Sequence, residues 1–218
     1  MRYCHTLIPT KTDFTPSADQ VRDFLSSMVA RGAIGGEPSF VLRTPSSRFR
    51  EGRNPFTGKT VAFRMTDRKR FHDIAAVIKA IATLKDYEAE VSGTGRPKTP
   101  PIPLDFDDPY YIGITCRVSS VLRSTSDMHE ESGTDPDLSF YGTPCDRVLK
   151  TGVFNNPHTL EVIEVAGAGC ARFWVEFEFG KSLFPSFDQA DLQFLNPVIV
   201  AEAERQFGVR FVQGCNWG

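Results

Sequence analysis

The chain contains no apolar run approaching the ~18 residues that a membrane-spanning helix requires, so no membrane partner is expected. Its first residues, MRYCHTLIPTK, lack the apolar core of a secretory signal peptide. There is no Cys-x-x-Cys and no His-x-x-x-His, and His5, His72, His129 and His158 are scattered along the chain. Zinc-type ligation needs ligands at close, recurring spacing, so neither a metal nor any cofactor is expected. His129 with Glu130 and Glu131 resembles a fragment of a metal motif, but the second histidine is missing. The five cysteines are odd in number and show no close pairing, which suggests free thiols in a reducing compartment, with the cytoplasm as the expected location.

Phosphate-cradling loops are absent too. Gly58-Lys59-Thr60 invites comparison with a P-loop, but the position that must be glycine is Arg53, and the residues that follow read as a strand. Such a loop needs a helix N-terminus behind it. Gly93 and Gly95 fail for the same reason. A nucleophilic cysteine needs a base and an electropositive setting. Cys4 has His5 beside it, but neighbours on a strand point to opposite faces. Cys145, before Asp146 and Arg147, and Cys215, beside Asn216 and Trp217, remain as minor candidates of about equal standing.

What the chain does contain is a readable alternation of elements. From Arg172 to Phe179, Phe173, Val175, Phe177 and Phe179 fall on one side of a strand, with Arg172, Trp174, Glu176 and Glu178 on the other. Thr159 to Val165 precedes it as a strand. A helix follows, with Leu192, Leu195, Ile199, Ala203 and Phe207 at helical spacing; Pro197 argues that its main part starts there. Gly208 stops it, and Val209 to Val212 make a last strand.

The front of the chain repeats the pattern. Tyr3 to Ile8 is a strand, and Ser17 with Gln20 forms a capping box for a helix to about Ala30. Pro38 to Thr44 and Thr60 to Met65 are strands separated by a long polar loop. A helix from Arg70 to Leu84, capped by Asp67, precedes a strand at Tyr87 to Val91. The order is that of a split βαβ, ferredoxin-like unit. The expected fold is therefore α+β: residues 1–92 form one ferredoxin-like half, 93–109 a Pro/Gly-rich linker, and 110–218 a second α+β half with a polar excursion at 119–156. A single mixed α+β sheet is the alternative.

Charge is unevenly spread. Residues 1–92 carry fifteen Lys and Arg against ten Asp and Glu, whereas the remainder carries ten against seventeen. Between Arg43 and Arg70 nine basic residues face only Glu51 and Asp67, with Phe49, Phe56 and Phe63 interleaved. Basic clusters with aromatics suit nucleic acid, but the slight overall acidity argues against it. A small anionic ligand or an acidic protein partner fits better.

Charged residues inside strands imply water, a partner or a ligand. Arg43, Arg64, Arg117, Trp174, Glu176 and Glu178 are the candidate ligand-binding residues, imagined in a polar cleft between two sheets. The plainer account has Arg43 and Arg64 pairing with Glu176 and Glu178. A binding or interaction protein is the leading expectation, of the kind found among bacterial accessory or immunity-type proteins. A cleft binder of small anions follows. An enzyme assembled from the 119–156 excursion, around His129, Glu130, Glu131, Asp146 and Arg147, stays open as the third class, with no catalytic residue assigned.

Overall fold

The computed structural model describes residues 3–53, 60–102, 111–125, 148–150, 153–155, 162–164, 169–179 and 195–217. Seven strands make one sheet: β1 (Tyr3–Pro9), β2 (Ser39–Arg53), β3 (Thr60–Phe71), β4 (Tyr87–Thr94), β5 (Tyr111–Ser124), β9 (Cys170–Phe179) and β10 (Phe211–Trp217). Three short strands, β6 (Val148–Lys150), β7 (Val153–Asn155) and β8 (Val162–Glu164), pair among themselves. The helices are α1 (Ala18–Ala30), α2 (Ile74–Ile81) and α3 (Pro197–Phe207).

The order across the large sheet is β10-β1-β9-β5-β4-β2-β3, and every neighbouring pair is antiparallel. The α+β class is therefore observed, in a single antiparallel sheet. Two separate ferredoxin-like sheets are not what forms. The first strand leaves its own half and inserts between β9 and β10. Strands β4 and β5, on either side of the Pro/Gly-rich stretch, lie adjacent and hydrogen-bonded. That stretch is itself packed in: Ile102 is fully buried, and the Pro101 carbonyl accepts a bond from the Asn196 amide.

One sheet face carries the core. Cross-strand registers place Leu7, Val175, Cys116, Ala89 and Leu42 in one row. Phe173 and Phe177 lie on the same face, because side chains alternate along a strand. Against it pack Val21, Phe24 and Leu25 of α1, Val77 and Ile81 of α2, and Ile199, Ala203 and Phe207 of α3. The predicted alternation of β9 and the apolar stripe of α3 are both found there. Leu192 lies outside the described residues.

Local chemistry sets the helix ends. The Ser17 hydroxyl accepts from the Gln20 amide at 3.2 Å, and the Gln20 side chain accepts from the Ser17 amide at 2.9 Å, completing the capping box. Asn196 caps α3, Pro197 opens it, and Gly208 closes it with φ 67°. The second helix departs from expectation: it starts at Ile74, capped by Asp73 rather than Asp67. Backbone pairing of Arg70 and Phe71 with Val41 and Phe40 holds them in β3, so helical periodicity loses to the ladder there. The same pairing turns most of the supposed polar loop into strand. The β2–β3 hairpin runs out to Arg53 and Thr60, past an irregularity between Pro45 and Phe49.

Candidate functional site

On the sheet face away from the helices, the registers assemble charged rows. Trp174, Arg117, Glu88, Arg43 and Arg68 are successive neighbours, and beside them run Thr6, Glu176, Thr115, Glu90, Val41 and Arg70. Of the candidate ligand-binding residues, Arg43, Arg117, Trp174 and Glu176 are thus brought together. Glu178, partly exposed, lies next along β9, opposite Cys4 and Gly113.

The pairing differs from the one expected. Arg43 Nη2 lies 2.7 Å from Glu90 Oε2, and its Nη1 donates to Glu88 Oε2 at 3.3 Å. Arg117 bridges Glu88 and Glu176; its Nη2 donates to Glu176 Oε1 at 3.1 Å, and its Nε lies 3.0 Å from Oε2. Tyr111 donates its hydroxyl to Glu90 at 2.8 Å. Glu88 and Glu90, which sequence reasoning passed over, are therefore the hubs. Their signal was present: Tyr87 to Val91 alternates apolar and acidic residues, placing both carboxylates on one face.

Burial governs the protonation of this network. Desolvation pushes the Glu88 carboxyl above its ordinary range, against the pull of Arg117 and Arg43. Glu90 is also desolvated, yet Arg43 and the hydroxyls of Tyr111 and Ser92 bring it below its ordinary range. Glu88 is 4% exposed, Glu90 3% and Trp174 2%, so the centre of this face is not an open cleft. The arginines satisfy carboxylates here, and an anion would have to displace those carboxylates to bind.

Cys4 donates its thiol toward Glu176 Oε1 at 3.6 Å, and burial with the nearby Glu176 and Glu178 raises its pKa far above normal. Such a thiol is a poor nucleophile. His5, on the opposite face, is 1% exposed, and burial lowers its pKa to about 4. Cys116 is a buried free thiol, but Cys170 is disulfide-bonded, which corrects the expectation that every cysteine is free.

Arg64 stands apart. It occupies β3 opposite Phe49, whereas β4 pairs with β2 only over Ser39–Arg43. Six residues separate Phe49 from Arg43, roughly 20 Å along a strand. Its position therefore belongs to a two-stranded ribbon that projects beyond the third strand, not to the Glu176 row. The projecting part exposes Arg48 and Arg50, together with Phe49 at 50% and Met65 at 36%, and at its base, where β4 pairs with β2, β3 exposes Arg68, Lys69 and Arg70. Arg48 pairs with Asp67 at 2.8 Å, and Lys69 lies over the Phe71 ring.

The 119–156 excursion is described only at its ends, so His129, Glu130, Glu131, Asp146 and Arg147 lie outside the described residues, as does Gly58-Lys59. Among the described residues no group of His, Cys, Asp or Glu is arranged to hold a metal, and no helix is long and apolar enough to cross a membrane. No protein-family model matches the chain, and neither a curated protein nor a solved structure matches it.

Proposed function

We propose that this chain is a binding protein that engages an acidic protein surface through the basic β2–β3 ribbon. The observation that carries the reading is the ribbon itself. Beyond Arg43 it has no third strand among the described residues, and an isolated two-stranded ribbon is marginal in water. It concentrates the cations of a chain whose net charge is −2. The exposed Phe49 and Met65 add the apolar contact that partners use at the centre of an interface. Edge-strand lysine and arginine also deter strand-to-strand aggregation. That role alone needs neither the length of the ribbon nor its exposed phenylalanine.

An acidic protein is favoured over nucleic acid because residues 93–218 carry ten basic against seventeen acidic groups, which repel a long phosphate backbone. Arg43, Arg117, Trp174 and Glu176 support the ribbon from the sheet face rather than touching the partner. The finer cleft binding of a small anion has no observation in its favour, since both arginines are taken.

The test uses fluorescent poly-glutamate and a single-stranded oligonucleotide, titrated against the full chain and against Arg50→Glu/Arg68→Glu/Arg70→Glu. The reading expects salt-sensitive poly-glutamate binding that the triple reversal weakens by roughly a hundredfold. Tighter binding of the oligonucleotide would turn the assignment to nucleic acid. Binding indifferent to the reversal would remove the ribbon from the function.

A further inference from the structure

A cavity of about 470 Å³ opens where the start of α1, the segment after α2, and the facing ends of β4 and β5 meet. Its wall is apolar at Ile81, Leu84 and Val118. Its polar side chains are Lys85 and the hydroxyls of Thr15, Ser17, Tyr87, Ser119 and Ser120, and the one charge among them is positive. Lys85 is exposed and makes no ion pair among the described residues. The first turn of α1 presents the amides of Ala18 and Asp19, which the capping box leaves without partners inside the helix.

Tyr87 is the second, independent sign. It is 2% exposed and lines the cavity, and among the described residues no protein group bonds its hydroxyl. An unpaired hydroxyl at the end of an otherwise buried ring keeps a donor free for a ligand, and the cavity beside it supplies the place for one. Burial raises the phenol's pKa, so it stays a neutral donor. The acids close by already have partners. Asp86 accepts from the Ser120 amide at 2.9 Å and from the hydroxyls of Ser119 and Ser120, while Asp19 pairs with Arg22 at 2.6 Å.

We propose that this cavity binds a small organic carboxylate, its head group held by Lys85, the Tyr87 hydroxyl and the α1 amides, and its apolar body against Ile81, Leu84 and Val118. No residue of the β2–β3 ribbon lines the cavity, and the proposal stands whether or not the ribbon binds a partner. Its volume falls within the range of small-molecule pockets. Inorganic phosphate meets the same donors but leaves the apolar wall uncovered, so it binds more weakly than a carboxylate with a short tail.

The experiment titrates the full chain with hexanoate, benzoate and inorganic phosphate, following amide resonances by NMR. Expected are saturable shifts centred on residues 15–18, 81–87 and 118–120 with both carboxylates. Lys85→Gln weakens binding roughly tenfold, as loss of a charge-assisted contact implies. Tyr87→Phe, which keeps the packing volume, weakens it several-fold while the apo protein stays folded. Phosphate binding as tightly as the carboxylates, affinities unchanged in both variants, or shifts that fail to saturate would each overturn the proposal.

Discussion

His5 and Cys4 adjoin in sequence yet sit in different environments, because β1 sends one to the core and the other to the charged face. The imidazole at about 4 is below its ordinary 6.5, so the unfolded chain takes up a proton first as pH falls. The neutral-His contribution is therefore complete above pH 6.5 and is lost as pH drops from 6.5 to 4. Across that window the expected loss is about 3 kcal/mol, and denaturant unfolding of wild type and His5→Gln should show the gap between them narrowing. A gap constant with pH would mean that His5 does not titrate in this way. Glu202 presents the opposite case. It is 3% exposed, accepts from Arg205, Gln206, Ser27 and Arg31, and is held well below the usual carboxylate range, by Arg205 first. Its contribution is present above the ordinary carboxylate pKa and is lost as pH falls below it. Removing it by Glu202→Ala leaves the half-buried donors of Ser27 and Gln206 and the more exposed guanidiniums of Arg31 and Arg205 without their acceptor and should cost about 2 kcal/mol. Urea midpoints would read that loss directly.

At the scale of elements, Gly93, rejected as part of a phosphate loop, and Gly35 have a close backbone approach as their reason. A Cβ on Gly35 would lie 2.2 Å from the Gly95 carbonyl oxygen, and one on Gly93 would lie 2.3 Å from that of Gly35. The turn after α1 crosses the end of β4 backbone to backbone, and only glycine permits the approach. Gly35→Ala should therefore cost about 2 kcal/mol through forced backbone displacement, visible as a lower melting midpoint. A neutral result would mean the crossing is looser than the contacts imply. The ribbon illustrates the reverse difficulty. Its residues read as a polar loop, because strand pairing in the absence of an apolar alternation leaves no period-2 signal.

For the whole molecule, the charged network joins strands from both halves: Arg43 and Glu88 from the first, Arg117 and Glu176 from the second. Breaking it at one point should be worse than removing a pair. Arg117→Met leaves the buried carboxylate of Glu88 with Arg43 alone and deprives Glu176 of its guanidinium, and should cost about 3 kcal/mol, while Arg117→Met/Glu88→Gln recovers part of that. Thermal melts of the two variants decide this, and equal losses would count against a coupled pair. The disulfide at Cys170 makes a further global prediction. Five cysteines with one bridge leave three free thiols, so thiol titration of the unreduced, unfolded chain should count three rather than five. Such a bridge persists only where the surroundings are oxidising, which sets it against the expected reducing compartment.

Local periodicity and end chemistry are written in the chain itself, and they were legible. The capping box at Ser17, the start of α3 at Pro197 and the alternation of β9 depend on residues a few positions apart, and each forms as read. Even the in-strand location of Arg43, Arg117 and Glu176 followed from alternation. Which strands become neighbours did not. Pairing of β1 with β9 and β10 joins residues some two hundred positions apart, and no local propensity encodes it. That choice decided everything the candidate site depends on. One sheet formed where two were expected, Glu88 and Glu90 rather than Glu178 became partners of Arg43, and Arg64 went to the ribbon. Tertiary structure also placed Lys85, Tyr87 and the start of α1 around one cavity, because three segments distant in sequence end at the same edge of the sheet. The physical reason is common to all of these: short-range signals select an element, but only the burial of one shared apolar face selects its neighbours.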